Sequence, residues 1–276
     1  MAAISAADFA TNETAASLLG VGVRPLTGIS IVDQLGITGG LLEIYGSAGT
    51  GKTSMLIHIT CCYVLPREFG GTGSSIVWFN LDGRFSVVRL AKSLASHVRM
   101  FSSDEHQIEA VVREALSRCI VITCINEAQF LESLRSMPQK ISSDHNIHAI
   151  IVDHIAAFYW ISRVQTDISM EQQIHIAQAV RALVKDLRIA VYVAKPALFS
   201  GTIYREYLPH AWQSLAAARL LCSRLDNNIF QVAYHSAHSA TSGAGLWKYM
   251  MQHDRLCLLG EQLQQQQQST ISGSQQ

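Results

Sequence analysis

The chain has 276 residues, 49% of them hydrophobic and 15% charged, and its 21 basic and 21 acidic side chains cancel to zero formal charge. That hydrophobic content fills one large core, and the neutral balance excludes the long-range positive field by which a self-sufficient nucleic-acid binder gathers phosphate. Six cysteines (Cys61, Cys62, Cys119, Cys124, Cys222, Cys257) form no C-x-x-C pair, and no apolar run approaches the roughly 18 residues of a membrane span, so a disulfide framework, a zinc site and a membrane partner are all set aside.

Taken in chain order, residues 1–25 are small and polar with weak periodicity, carry acidic Asp8 and Glu13, and are expected to be flexible, without a secretory or mitochondrial leader. A soluble nuclear or cytosolic protein is expected. Residues 26–261 read as one domain. Its first strand is predicted at 41–45 (LLEIY), followed by a helix at 52–65 that Pro66 closes. A strand at 76–81 leads to helices at 84–98 and 107–117, a strand at 119–124 and a helix at 127–137 that Pro138 is expected to end. A strand at 148–153 follows. The helix at 170–187 has a capping-box start in Ser169 and Gln172 and an apolar stripe through Ile176, Val180, Leu183, Val184 and Leu187. The strand at 189–194 completes an alternation that signifies an α/β fold, a mostly parallel central sheet flanked by helices.

Beyond residue 215 the texture changes. Runs at 217–223, 229–235, 245–251 and 255–259, separated by Asp226-Asn227-Asn228 and Gln252-His253-Asp254, read as antiparallel strands that extend the sheet. Residues 262–276 (QLQQQQQSTISGSQQ) are of low complexity, and a disordered tail is expected.

Gly46, Ser47, Ala48, Gly49, Thr50, Gly51, Lys52 and Thr53 match G-x-x-x-x-G-K-[ST] between an apolar strand and a helix. Glycines let the backbone turn its N–H groups inward at a helix N-terminus, where the dipole favours anions. Lys52 is then expected on the β- and γ-phosphates of ATP and the Thr53 hydroxyl on Mg²⁺. Asp153 ends an apolar strand, where a second Mg²⁺ ligand is needed. The competing readings are a glycine-rich turn that binds nothing and a plain strand-to-turn Asp.

Thr27 to Leu35, Thr38-Gly39-Gly40 and Leu42 to Gly46 resemble the stretch that enters the phosphate loop of RecA-like recombinases, and Phe79 to Phe85 resembles the segment bearing their catalytic carboxylate. Within that family, the chain is similar to the eukaryotic recombinase paralogues. This likeness is carried by 41–46 with 49–53, by Ala157 to Ile161 with Arg163 and Val164, by Arg205-Glu206-Tyr207-Leu208, and by Ala211-Trp212-Gln213. The resemblance implies a RecA-like P-loop ATPase core. It also implies a subunit of a heteromeric complex with other recombinase paralogues, assisting the strand-exchange recombinase filament in homologous-recombination repair and meeting single-stranded or branched DNA through the complex.

Three departures separate the chain from an active strand-exchange enzyme, the alternative reading. Asp82 stands where recombinases place Glu, and is one methylene shorter for polarising water. Ala194-Lys195 stands where they carry an Asn-Gln pair that senses the γ-phosphate. The arm before the loop is expected to be too short for the helical DNA-binding domain, and Phe9 lacks the x-x-Ala that follows in a filament handle. Weak or absent DNA-dependent ATPase activity is expected.

By the same resemblance Arg163, Lys195 and Arg205 are candidate DNA contacts, with Phe158, Tyr159 and Trp160 near the first DNA loop and Tyr204 and Tyr207 near the second; core packing is the competing reading for the rings. The histidine pairs His145/His148 and His235/His238 lack Cys or acidic companions at ligand spacing and read as surface or core histidines. A third reading, a small-molecule kinase, would require an Arg-rich lid that no segment supplies.

Overall fold

A computed structural model describes residues 32–33, 39–159, 169–200, 203–236 and 242–259. The expected flexible N-terminal segment 1–25, the tail 262–276, Trp160 and Arg163 lie outside the described residues.

The chain alternates strand and helix: β1 (Leu41–Gly46), α1 (Lys52–Val64), β2 (Ser75–Asn80), α2 (Val87–Val98), α3 (Glu105–Ser117), β3 (Cys119–Thr123), α4 (Glu127–Ser143), β4 (Ile147–Asp153), α5 (Ser169–Lys185) and β5 (Ala190–Pro196). A small antiparallel pair, β6 (Leu198–Ser200) and β7 (Ile203–Arg205), and the short α6 (His210–Gln213) precede β8 (Ala216–Arg224), β9 (Ile229–Ser236), β10 (Ser242–Gln252) and β11 (Arg255–Leu258). The main sheet has the order β11-β10-β9-β8-β1-β5-β4-β2-β3. The strand that feeds the phosphate loop is therefore central.

β1, β5, β4, β2 and β3 pair in parallel, as the alternation requires. β8 is also parallel to β1, and antiparallel pairing starts only at β9. The four expected strands thus pair antiparallel in succession, β8 with β9, β9 with β10 and β10 with β11, and the other edge of β8 joins them to the parallel part of the sheet. Strand direction is set by the preceding segment, here α6, which returns the chain to the N-terminal edge of β1.

Strand alternation sends successive side chains to two cores. Leu42, Ile44, Ile76, Trp78, Ile151 and Tyr192 join α1, α2 and α3 on one face. Leu41, Val77, Phe79, Ile150, Val152, Val191 and Val193 join α4, α5 and α6 on the other. Both faces are covered, so the inner strands are apolar throughout, and each fully buried Leu, Ile or Val contributes about 1.5–3 kcal/mol.

Helix starts follow local chemistry. Ser86, Asp104 and Asn126 cap α2, α3 and α4 by accepting from Arg89, His106 and Gln129 N–H. Pro138 does not end α4, which runs on to Ser143. Proline in a helix interior costs about 3 kcal/mol, but Met137 and Ile141 are buried on either side of it, and their packing holds the last turn in place. The predicted capping contact from Ser169 lies outside the described side chains.

Candidate phosphate-binding site

β1 ends in the loop Gly46–Thr53, and α1 starts at Lys52 behind Gly51, whose φ of 87° is left-handed. A β-carbon on Gly46 would sit 2.3 Å from the Cys222 carbonyl oxygen on β8, and one on Gly51 would meet the Phe230 ring at 3.0 Å. Only glycine fits at either place. Ser47, Ala48 and Gly49 form an exposed crown, while the Thr50 hydroxyl turns inward and donates to Ser47 O at 2.9 Å.

Lys52 Nζ donates to Gly46 O at 2.9 Å and to Ser47 O at 2.6 Å, so its ammonium lies within the loop. Burial holds that ammonium below its ordinary pKa, although Asp153 counteracts this. The Thr53 hydroxyl donates to Asp153 Oδ2 at 2.8 Å, which brings together the two oxygens predicted to share a metal. Burial pushes the Asp153 carboxyl up, and the charge of Asp82 adds to this against the Thr53 hydroxyl, Lys52 and Arg89.

Register explains why the two acids meet. Asn80 on β2 pairs with Asp153 on β4, and Leu81 N–H donates to Asp153 O at 3.0 Å, so Asp82 emerges beside the end of β4. Asp82 accepts from Arg84 N–H at 3.0 Å and lies 3.7 Å from the exposed Arg84 guanidinium. Two neighbours were not singled out in the sequence. Arg89, on the first turn of α2, donates to Ser54 Oγ just past Thr53. His154 follows Asp153 across a cis peptide, and burial lowers its pKa. An isolated Arg or His in a helix or strand end gives no periodic signal, so neither was legible.

On the other flank of the sheet, the face that carries α6, the predicted DNA contacts separate. Lys195 is fully buried, with Nζ 2.8 Å from Glu43 Oε1 and 2.8 Å from Glu206 Oε2. This corrects its assignment as a DNA contact: β5 alternation turns Lys195 to the face of Leu41 and Glu43, away from solvent. Arg219 approaches both acids, at 3.5 and 3.7 Å, and Trp212 Nε1 donates to Glu43 Oε2 at 2.9 Å. Burial pushes the Glu206 carboxyl up, yet Lys195, the Leu208 N–H and the Tyr204 hydroxyl together outweigh it and leave the group below its ordinary value.

The rings of Tyr45, Tyr204 and Tyr207 lie around the same ammonium, at 6.0, 5.5 and 5.6 Å. Tyr204 Oη donates to Glu206 and Tyr207 Oη to Pro196 O, which ties both phenols to the interior. Arg205, by contrast, is exposed on β7. Tyr159 is buried and donates to Tyr207 O at 2.8 Å, so core packing accounts for it. Among the described residues no cluster of three or more His, Cys, Asp or Glu is arranged to hold a metal, and no helix is long and apolar enough to cross a membrane.

Residues 23–199 match the Rad51 family. The chain is 28% identical over 212 residues to the DNA repair protein XRCC2 of Mus musculus, covering 69% of this chain and 74% of that one. It is 24% identical over 210 residues to a DNA repair protein XRCC2 homolog of Arabidopsis thaliana, covering 62% of this chain and 56% of that one. With the DNA repair protein RAD51 homolog 3 of Cricetulus griseus it shares 26% identity over 161 residues, 54% of this chain and 43% of the other. It thus spans about half the length of the latter two relatives.

Proposed function

The chain belongs to the Rad51 family, and from that premise we propose that it is an ATP-binding recombinase paralogue. In this reading it is a nuclear subunit of a heteromeric assembly that assists homologous-recombination repair of DNA double-strand breaks. The observation that carries it is the contrast between the two flanks of the sheet, its α1 face and its α6 face. On one, Lys52, Thr53 and Asp153 converge on the phosphate loop; on the other, Lys195 is sealed by Glu43 and Glu206.

The first flank fits Mg²⁺-ATP. The glycine turns suit a loop whose backbone N–H groups take phosphate oxygens, and the Lys52 ammonium already lies within that loop. Thr53 and Asp153 offer adjacent hard oxygen ligands of the kind Mg²⁺ takes. The metal, when bound, neutralises phosphate charge.

The second flank supports weak turnover. No amide stands at the end of β5 to report the γ-phosphate, and the Lys195 ammonium is committed to two carboxylates. Asp82 is the remaining candidate to orient water, and its carboxylate is engaged by Arg84. One observation favours an active DNA-stimulated ATPase, the proximity of Asp82 to Asp153 at the strand ends. Calorimetry with Mg²⁺-ATP, followed by phosphate release with single-stranded DNA, separates the readings. ATP binding that Lys52→Ala weakens at least about tenfold is expected, with turnover far below the roughly 1–100 per second of kinases. Wild-type affinity in Lys52→Ala would refute the nucleotide site. Fast turnover abolished by Asp82→Asn would establish the active enzyme.

A further inference from the structure

The turn between β8 and β9 closes over one side of the phosphate loop. Arg224, the last residue of β8, pairs in register with Phe230 on β9. Phe230 lies against Gly51, and Arg224 Nη1 lies 4.0 Å from the position a β-carbon on Gly49 would take. The rest of the guanidinium is fixed by the turn: Nε donates to Asp226 O at 3.2 Å, and Nη2 donates to Asn227 O at 2.7 Å and to Asn227 Oδ1 at 3.4 Å. The Asp226 carboxylate is itself turned to Asn227 N–H at 2.7 Å.

A side chain whose role is only to close the turn needs no more than those carbonyl acceptors. Yet Nη1 lies against Gly49 of the exposed crown Ser47–Gly49, in a loop whose motif presents N–H donors to phosphate. A phosphate held by those N–H donors would lie beside this guanidinium, which can add a charge-assisted hydrogen bond to it. An arginine suits that place. It keeps its charge at any physiological pH, and its planar fork, already held on one edge, loses little freedom when the other edge binds phosphate.

We propose that Arg224 is a phosphate-binding residue of this nucleotide site, a second cation beside Lys52 delivered by the β8–β9 turn. The inference rests on the nucleotide reading above and adds a residue outside the loop motif.

The test is titration of Mg²⁺-ATP into the full chain by calorimetry at several salt concentrations. Arg224→Gln, Arg224→Lys and, as a control, the exposed α3 residue changed in Arg113→Gln would be compared with wild type. Arg224→Gln is expected to bind about tenfold more weakly, with a shallower salt dependence because one cation–phosphate contact is gone. Arg224→Lys should recover part of the loss, and Arg113→Gln should match wild type. Unchanged affinity in Arg224→Gln overturns the inference while leaving the nucleotide reading intact. So does a loss with unaltered salt dependence and no recovery by lysine, which is the signature of a turn-closing role. A wild-type chain that binds no ATP overturns the nucleotide reading itself, and this inference with it.

Discussion

Lys195 shows how much a single charge can depend on its neighbours. Its ammonium is enclosed with Glu43, Glu206 and Arg219, a set whose formal charges cancel, and Trp212 donates to the same Glu43. Removing one member leaves an unbalanced buried charge, so Lys195→Ala should destabilise the fold by roughly 3–5 kcal/mol. Lys195→Met combined with Glu43→Gln removes charge of both signs and should cost clearly less. Urea unfolding of the two variants checks this; equal midpoints would mean that the carboxylates do not depend on Lys195. The sequence shows a lysine at a strand end, an ordinary surface position, and gives no sign that strand pairing will set Glu43 beside it. Lys52 and Thr53 could be singled out because their motif is local in the chain, and Asp153 because it ends an apolar strand, whereas the Lys195 partnership exists only after β1, β5 and β8 are adjacent.

α1 and α2 meet through two histidines, and this contact sets a pH dependence. The His58 and His97 rings are 5.1 Å apart, and His97 Nδ1 donates to Ser93 O at 2.7 Å, while the second nitrogen of the His97 ring is buried. Burial first, then His58 and Arg255, lower the His97 pKa from 6.5 to about 3. The unfolded chain therefore takes up a proton below pH 6.5 that the folded chain refuses until about pH 3. Stability from this group is complete above pH 6.5 and declines as pH falls toward 3, by at most about 1.4 kcal/mol per unit. Urea midpoints at pH 7.5 and 5.5 should differ less in His97→Gln than in wild type. An identical pH slope in the variant would remove His97 as the cause. Elements themselves were legible in β1, β2, β4 and β5, because buried parallel strands read as continuous apolar runs. Pairing direction is less so, since an alternating pattern is the same for parallel and antiparallel partners; the parallel pairing of β8 with β1 on its other edge gives no such signal. Pro138 misled in the other direction, because its local cost is visible in the sequence while the burial of Ile141 that offsets it is not.

At the scale of the whole molecule, the neutral charge balance and the distribution of exposed apolar residues bear on assembly. Val87, Val88, Met100 and Phe101 are exposed around the ends of α2, and Ile125, 75% exposed, follows β3 at the outer edge of the sheet, where Val121 also faces solvent. An edge strand flanked by exposed aliphatic side chains is costly to leave uncovered. A chain with 21 cations and 21 anions also lacks the field to hold DNA by charge alone, and of the candidate DNA contacts only Arg205 is exposed among the described residues. Both points lead to the same expectation, that a second recombinase paralogue completes the protein. A partner that binds only the folded chain raises its apparent stability in proportion to the logarithm of partner concentration, and a shared surface can supply the missing positive charge. Thermal melts across a partner titration should therefore shift upward continuously. Single-stranded DNA affinity at physiological salt should increase only when the partner is present. A chain that alone is a stable monomer, binds DNA tightly, and neither melts higher nor binds better with a paralogue would contradict the assembly role, and would transfer the function to the chain by itself.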